Sequence, residues 1–192
     1  MATRSGDKVR EVREMLEPLG YTVEGAFDLA DYAVVEDGES FEANALKKAQ
    51  AMMALTGQMS IADDSGIEVD ALSGHPGIFS ARYAGVDGPD RDRANLEKML
   101  RELEGTPAER RGARYVCAMV LCRPSQEPQY FRGVLEGSIA EKPRGTGGFG
   151  YDPIFLVGGD QRTAAELTPD EKHAISHRGK AMRALMAALH SR

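Results

Sequence analysis

The stretch Tyr115-Val-Cys-Ala-Met-Val-Leu-Cys122 and the segment Tyr130-Phe-Arg-Gly-Val-Leu-Glu-Gly-Ser-Ile139 decide the fold. Both are rich in aliphatic, β-branched and aromatic residues, and the loop 123–129 between them contains Pro124 and Pro128. Two such runs joined by a short turn-forming loop predict an antiparallel pair of strands. We therefore expect the sheet of this protein to be built around this pair.

Helical patterns lie on both sides of these strands in the sequence. Apolar residues recur at helical spacing in four ranges, namely 8–19, 41–55, 90–103 and 181–189. Gly20 and Gly57 follow the first two ranges, where a C-terminal cap is wanted. The sequence Thr168-Pro-Asp-Glu171 has the cap hydroxyl, the first-turn proline and the acidic third position of a helix start. Helices interspersed with strands predict an α/β protein.

Length and composition limit the kinds of protein that this chain can be. With 192 residues, 42% of them hydrophobic, it is long enough for one large domain or two fused lobes, and we expect a single domain over 1–192. The net charge of −6 argues against a nucleic-acid polymer as partner. Neither a signal-peptide core nor a run of ~20 apolar residues is present, so we expect a cytoplasmic protein with no membrane partner.

Only two cysteines, Cys117 and Cys122, are present. Their separation of five places them on opposite faces of one predicted strand, because successive side chains of a strand point to opposite sides. We therefore expect that they are not bonded to each other and that both are small apolar core residues.

The segment Ile61-Ala-Asp-Asp-Ser-Gly66 brings two carboxylates together between the predicted short strands 60–62 and 67–69. Because side chains alternate along a strand, Asp63 and Asp64 are not expected to reach the same ion. One is predicted to bind a hard cation such as Mg²⁺ and the other to support it. The same residue types also form exposed turns, so the segment alone leaves both interpretations open.

Two further segments could bind an anion or a flat ring. The loop Thr3-Arg-Ser-Gly-Asp-Lys8 precedes a predicted helix, whose free amides and positive end offer an anion site. The segment Gly145-Thr-Gly-Gly-Phe-Gly150 is not a dinucleotide fingerprint, because a proline and an apolar strand at 154–157 follow it instead of a helix. Phe149 and Tyr151 among these glycines suggest an aromatic surface for stacking.

A cluster of hydrogen-bond donors lies near the C-terminus. Lys172, His177 and Arg178 together suit oxygen acceptors on a ligand. His173 and His177 would share one face only on a continuous helix, and no third metal ligand of the expected kind accompanies them.

Taken together and in order, these motifs resemble the inosine triphosphate pyrophosphatase family, which hydrolyses deaminated purine nucleoside triphosphates. The motifs that carry the resemblance cover nearly the whole chain: Ala2-Thr-Arg-Ser-Gly-Asp-Lys8 with Glu11, Phe41-Glu-Ala-Asn44-Ala45 with Lys48-Ala49, Ile61-Ala-Asp-Asp-Ser-Gly66, Pro76-Gly77 with Ser80-Ala-Arg-Tyr83, Gly147-Gly-Phe-Gly-Tyr-Asp-Pro153, and Ala165-Glu166 followed by Lys172 and Ser176-His-Arg178. The resemblance implies an elongated mixed central sheet flanked by helices, in two fused lobes with the active-site cleft between them. It also implies a Mg²⁺-dependent nucleoside triphosphate pyrophosphatase that forms a homodimer, for which the loop 75–83 is a candidate contact.

The resemblance assigns roles to individual positions. It implies that Asp64 is the catalytic and metal-binding carboxylate, that Glu36 is a second acid beside the metal, and that Ser65 contacts the substrate. The residues implied to hold the triphosphate are Thr3, Arg4, Ser5, Gly6, Asp7 and Lys8. Those implied to contact the base and sugar are Phe149, Gly150, Tyr151 and Asp152, and those implied to read the purine edge are Lys172, His177 and Arg178.

Three departures from the family pattern and two alternatives remain. The family's asparagine and second glycine in the first loop are replaced by Ser5 and Asp7, and an acid beside a phosphate site is unfavourable unless it points away or helps to hold Mg²⁺. The residues before Arg4 are too few for a full first strand, so we expect either a longer native N-terminus or a stub. The alternatives are a septum-inhibitor-like pyrimidine nucleotide pyrophosphatase and a nucleotide-binding module without catalysis.

Overall fold

Four strands in the order β1-β2-β3-β4 form the sheet. The computed structural model describes residues 1–4, 6–27, 29 and 32–190, with only the backbone of Asp7, Glu11 and His190. The strands are β1 (Ser60–Val69), β2 (Gly112–Cys122), β3 (Gln129–Ile139) and β4 (Phe155–Val157). The two strands predicted at 115–122 and 130–139 are thus confirmed as β2 and β3.

The α/β class is confirmed, whereas the described strands form an antiparallel sheet and not the mixed one that was expected. Between β3 and β4 the register is antiparallel and pairs Gly137 with Val157 and Ile139 with Phe155. A mixed sheet requires a crossover connection that returns the chain in the same direction. Here each strand instead runs back along its neighbour.

The described residues form five α-helices: α1 (Gly6–Leu16), α2 (Phe41–Thr56), α3 (Arg91–Glu102), α4 (Pro169–Ile175) and α5 (His177–His190). The four predicted helical ranges and the predicted start at Thr168 are confirmed. The hydroxyl of Ser40 accepts a hydrogen bond from the Ala43 amide at the start of α2, and Gly57 ends the helix with a left-handed φ of 69°. The last helix begins four residues earlier than its apolar pattern indicated.

The acidic segment 61–66 differs from its prediction. It was expected to form a turn between two short strands, but Ser60–Val69 is one continuous strand in which Asp63 and Asp64 lie near the middle. Turn-forming residue types therefore do not interrupt the strand here. The reason lies in the partners of the two carboxylates, which are described with the candidate site.

The chain forms two compact units, and β1, β2, β3 and α5 each contribute residues to both. The first unit comprises residues 1–64, 117–132 and 181–192, and the second comprises 65–116 and 133–180. In the first unit, alternation along β2 separates two apolar clusters: Cys117, Met119 and Leu121 pack with α1 and α5, whereas Val120 and Cys122 pack with α2. Both cysteines are buried and free, which confirms that they are not bonded to each other.

The core of the second unit is formed by residues from β1, α3, β3 and β4. Its largest fully buried side chains include Ile67, Met99, Leu103 and Phe155. The burial of these apolar groups is the main source of stability in this unit. No helix among the described residues is long and apolar enough to cross a membrane.

The first residues pair with two neighbouring segments through single backbone hydrogen bonds. The Ala2 amide donates to the Ile61 carbonyl at 2.8 Å, and the Thr3 carbonyl accepts from the Ala26 amide at 2.8 Å. No strand is assigned to residues 1–4. This segment is therefore anchored beside β1, which positions the loop before α1.

Candidate active site

Asp63 and Asp64 have different partners in the first unit, as the alternation of a strand requires. Asp63 is buried, with 3% of its surface exposed, and both of its carboxylate oxygens accept from the Lys8 ammonium, at 3.0 and 2.8 Å. Lys8 lies in the first turn of α1. Asp63 therefore supports a lysine, and the ion pair compensates the burial of its charge.

Asp64 is held by two side chains of α2. The Lys48 ammonium lies 3.2 Å from its Oδ1 atom, and the Asn44 amide nitrogen donates to its Oδ2 atom at 3.2 Å. Asn44 and Lys48 are four residues apart, so they share one face of the helix. The Asn44 side-chain oxygen also accepts from the Gly38 amide at 2.8 Å, which fixes the chain before α2.

A second carboxylate reaches the same lysine. The Oε1 atom of Glu36 lies 3.3 Å from the Lys48 ammonium, so Glu36 and Asp64 converge on one positive group. Burial raises the pKa of the Asp64 carboxyl, and the negative charge of Glu36 raises it further, while Lys48 and Asn44 oppose the shift. This carboxyl therefore holds a proton more readily than an exposed aspartate does.

The carboxylates of Glu36 and Asp64 also suit a divalent cation. Mg²⁺ is commonly bound through one or two carboxylates, with substrate phosphates and water completing its shell. Glu36 and Asp64 already converge on a cation, and in the part of the chain that the structure describes no group of three or more His, Cys, Asp or Glu side chains is placed to hold a metal.

A cavity of about 200 Å³ opens beside these residues within the first unit. The residues that line it are Ala2, Thr3, Arg4, Lys8, Tyr32, Val34, Glu36, Lys48 and Asp63. The Arg4 guanidinium donates to the carbonyls of Leu29 and Tyr32, at 3.2 and 3.0 Å. The cavity thus combines three cationic side chains with two acids, next to the first turn of α1.

Two predicted residues of this loop cannot be placed. Ser5 lies outside the described residues, and so does the side chain of Asp7. Gly6 begins α1, so its amide is among those at the helix start that have no acceptor within the helix.

The second unit contains the aromatic and basic residues. The Phe149 ring is 70% exposed, and the Lys172 ammonium lies 5.0 Å from its centroid. Tyr151, in contrast, is buried, and its hydroxyl donates to the Ser80 carbonyl at 2.8 Å. Of the two rings predicted to form a stacking surface, only that of Phe149 is therefore exposed. The Gly150 amide donates to Asp92 at 3.1 Å, which fixes the loop beside this ring.

Asp152 is the buried centre of this group. Its carboxylate accepts from the Phe149 amide at 2.8 Å, from the Tyr115 hydroxyl at 3.2 Å and from the Lys172 ammonium. Gly148 has a φ of 73°, and a Cβ atom there would lie only 2.1 Å from the Asp152 Oδ2 atom. Glycine is required at this position because the backbone turns directly over the carboxylate.

His177 and Arg178 occupy the first two positions of α5. Ser176 separates this helix from α4, and its hydroxyl accepts from the Gly179 amide at 3.0 Å. His173 lies in α4, so the two histidines do not share a continuous helix. The Arg178 guanidinium lies 3.4 Å from the Ser65 hydroxyl, which brings together two of the predicted substrate residues.

Sequence reasoning missed roles for Lys48, Asn44 and Tyr115. The first two belong to a motif that was recognised, and their spacing of four on a predicted helix indicated a common face. Nothing in the sequence indicated that this face meets Asp64. Tyr115 was interpreted as an ordinary strand residue, and its contacts with Asp152 and His177 depend on segments more than 30 residues away.

This α/β fold places a buried carboxylate and lysines at a polar cavity, and it also carries a separate group of aromatic and basic residues. These features define a class of proteins that bind phosphorylated ligands carrying an aromatic ring. A sequence model of the Ham1 family matches residues 1–188, and the chain belongs to this family.

Known relatives are similar over almost their whole length. The chain is 50% identical over 190 residues to the dITP/XTP pyrophosphatase of Bacillus licheniformis, which covers 98% of this chain and 96% of that protein. It is 47% identical to the protein of the same name from Bacillus subtilis, with 98% and 95% covered. Among solved structures, the Ham1 protein of Staphylococcus aureus superposes with a TM-score of 0.91 at 40% identity, covering 99% of this chain and 96% of that one.

Proposed function

We propose that this chain hydrolyses deaminated purine nucleoside triphosphates, namely ITP, dITP and XTP, to the nucleoside monophosphate and pyrophosphate. The relatives named dITP/XTP pyrophosphatase support the substrate class, since the chain is similar to them over nearly its full length. The observation that carries the proposal is the placement of Asp64, held by Asn44 and Lys48 beside Glu36.

Asp64 is the proposed base. In the reaction the oxygen of a water molecule forms a bond to the α-phosphorus, and the bond from that phosphorus to the oxygen bridging to the β-phosphate breaks. The water proton passes to Asp64, and pyrophosphate leaves with the bridging oxygen. The hydrogen bonds from Asn44 and Lys48 hold the carboxylate in one orientation, as positioning of a base requires.

Mg²⁺ is the proposed cofactor, and Asp64 and Glu36 are the residues that would hold it. When bound, the metal neutralises negative charge on the triphosphate oxygens. The chain supplies further positive charge through Lys8, Arg4 and the start of α1, where Thr3 to Lys8 would contact the phosphates. At an effective dielectric of 20, one charge pair at 4 Å contributes ~4 kcal/mol, so these local cations favour a bound anion. Because Lys8 and Lys48 already pair with carboxylates, the bound metal would supply further neutralising charge.

The purine ring of the substrate is proposed to contact residues of the second unit. Phe149 offers an exposed ring for stacking, and Lys172, His177 and Arg178 offer donors. Inosine and xanthosine carry an oxygen at C6, which accepts from these donors, whereas the amino group of adenine would meet them donor to donor. A site built for such hydrogen bonds discriminates by about 10,000-fold in favourable cases.

A pyrophosphate-release assay tests the function. ITP, dITP and XTP are compared with ATP, dTTP and UTP, each with Mg²⁺ and with EDTA in its place. We expect rapid turnover of the first three with Mg²⁺ and none with EDTA. Preference for dTTP or UTP would instead support the pyrimidine-specific alternative, and binding of ITP without release of pyrophosphate would support a non-catalytic module.

We also infer that the protein is a homodimer, which the resemblance implies, and that it acts in the cytoplasm, as the sequence leads us to expect. Phe79 is 47% exposed within the 75–83 segment, and such a ring suits burial at a contact. Light scattering after size exclusion should give twice the mass of the chain, and the variant Phe79→Glu should shift the protein towards the monomer.

A further inference from the structure

We propose that Tyr115 is a positioning residue for recognition of the purine ring. It acts by holding the His177 ring in place. The two rings lie with centroids 5.0 Å apart and planes 16° from parallel, within the geometry of a stacked aromatic pair. The inference rests on the proposed function, because it assigns to His177 the reading of the purine edge. Tyr115 itself is not proposed to touch the substrate.

The support that Tyr115 offers is rigid. It lies in β2, and its ring also contacts Phe155 at a centroid distance of 4.4 Å. His177, in contrast, begins α5 directly after the break at Ser176. A side chain at the first position of a helix has no preceding turn to pack against, so a neighbouring ring on a strand can select its orientation.

The hydroxyl of Tyr115 also links this ring to Asp152, the buried carboxylate beside Lys172 and Phe149. It donates to Asp152 at 3.2 Å, and Asp152 in turn accepts from Lys172 and from the Phe149 amide. Burial and the adjacent Asp152 carboxylate raise the pKa of the Tyr115 hydroxyl well above its usual value, so it stays protonated and remains a donor. One side chain therefore contacts both the proposed donor His177 and the carboxylate that orients Lys172.

The test compares Tyr115→Leu with Tyr115→Phe. The readout is the ratio of kcat/KM for ITP to kcat/KM for ATP, because a loss of folded protein lowers both values equally and leaves the ratio unchanged. Leucine removes the stacked ring, and we expect the ratio to fall by about 3- to 10-fold, the size of one aromatic pair. Phenylalanine keeps the ring, so we expect the ITP to ATP ratio of Tyr115→Phe to stay close to that of the wild type.

A double-mutant cycle with His177→Ala shows whether Tyr115 acts through the histidine. If it does, Tyr115→Leu should lower the ITP to ATP ratio in the wild-type background and lower it clearly less when His177 is already alanine, where only the contact with Asp152 is still lost. Val116→Ala is the matched control: it removes buried apolar atoms from the next residue of β2 and should lower stability without changing the ratio.

Separate outcomes contradict the two proposals. If the wild-type protein hydrolyses ITP no faster than ATP, the proposed function fails and this role fails with it. If the wild-type discriminates but Tyr115→Leu keeps the full ratio, or lowers it equally in both backgrounds, only the positioning role is overturned.

Discussion

Asp63 and Asp64 are adjacent in the sequence, yet each has its own lysine. Lys8 compensates the charge of Asp63, and Lys48 that of Asp64. Because the two carboxylates have different partners, removing one should affect a different property from removing the other. The Asp64 side is expected to control chemistry, and the Asp63 side to control the position of Lys8 and the stability of the fold.

The variant Asp64→Asn should lose at least ~1,000-fold in kcat, within the range that a general base contributes. The amide is nearly the same size, so binding of a non-hydrolysable ITP analogue should persist in calorimetry. Asp70→Asn is a suitable control, since Asp70 is an exposed partner of Arg114 outside the proposed site. Turnover by Asp64→Asn at wild-type rate would remove Asp64 from its proposed role.

The variant Lys8→Met should destabilise the protein by about 3 kcal/mol, because it leaves the buried Asp63 carboxylate without its closest cation. Urea denaturation measures this loss. Adding Asp63→Asn should recover part of the stability, since the buried negative charge is then gone. Equal stability of wild-type and Lys8→Met would show that the ion pair has no net effect on folding.

At the scale of elements, α2 matters because it carries both side chains that hold Asp64. The helix begins at Phe41, directly after its N-cap Ser40, and its first turn is tied to the preceding loop through Asn44 and Gly38. Its position therefore depends on the cap as well as on the apolar face formed by Ala45 and Ala49.

Ser40→Ala should lower the free energy of unfolding by about 1 kcal/mol, because the Ala43 amide then loses its acceptor. Ser40→Asp keeps an acceptor at the cap and should stay close to wild-type stability. Thermal and urea unfolding of the three proteins give the comparison. A Ser40→Ala protein as stable as Ser40→Asp would show that the cap is dispensable.

Arg111 connects three elements of the second unit. It is buried, and its guanidinium donates to the carbonyls of Leu103 after α3, and of Ile139 and Ala140 at the end of β3. Arg111→Met should cost about 3 kcal/mol in urea denaturation, since these carbonyls lose their donors. Arg111→Lys should recover little, because one ammonium does not reproduce the planar fork. Full recovery by lysine would contradict this account.

The elements that the sequence predicted well are those whose signals are local. The apolar composition of β2, the caps of α2 and the capping box at Thr168 all depend on residues a few positions apart. β1 was divided into two strands because Asp63-Asp64-Ser65-Gly66 has the composition of a turn. The segment instead pairs with β2 as one strand, and Lys8 and Lys48 compensate its two carboxylates from distant segments, which local reasoning does not include.

The candidate site follows the same rule. Asp64 and Lys8 were predicted as site residues because they lie in recognisable motifs, and Glu36 because the resemblance implies an acid at its position. Lys48 was not assigned a role, since its position between two carboxylates depends on how α2 packs against β1. Tyr115 was missed for the same reason, because its contacts join β2 to the loop at 152 and to the start of α5.

For the whole molecule, the net charge of −6 opposes a substrate that is itself strongly negative. The cavity nevertheless has Arg4, Lys8 and Lys48 in its lining. The repulsion from the whole surface is screened over a Debye length of about 10 Å at 0.1 M salt. The attraction between the cavity cations and a phosphate at 3 to 4 Å is screened less and is much stronger than that repulsion. Added salt should raise kcat/KM if the surface repulsion dominates and lower it if the attraction of the cavity cations dominates.

We expect kcat/KM for ITP to fall by about 3- to 10-fold as ionic strength rises from about 0.03 to 0.3 M at constant free Mg²⁺, because local attraction outweighs the repulsion of the whole surface. Lys8→Met should show a weaker dependence on salt, since one of the attracting charges is gone. Lys142→Met removes an exposed lysine outside the proposed site and should keep the wild-type slope. A kcat/KM that increases with salt would mean that net charge, and not the lysines of the cavity, governs the approach of the substrate.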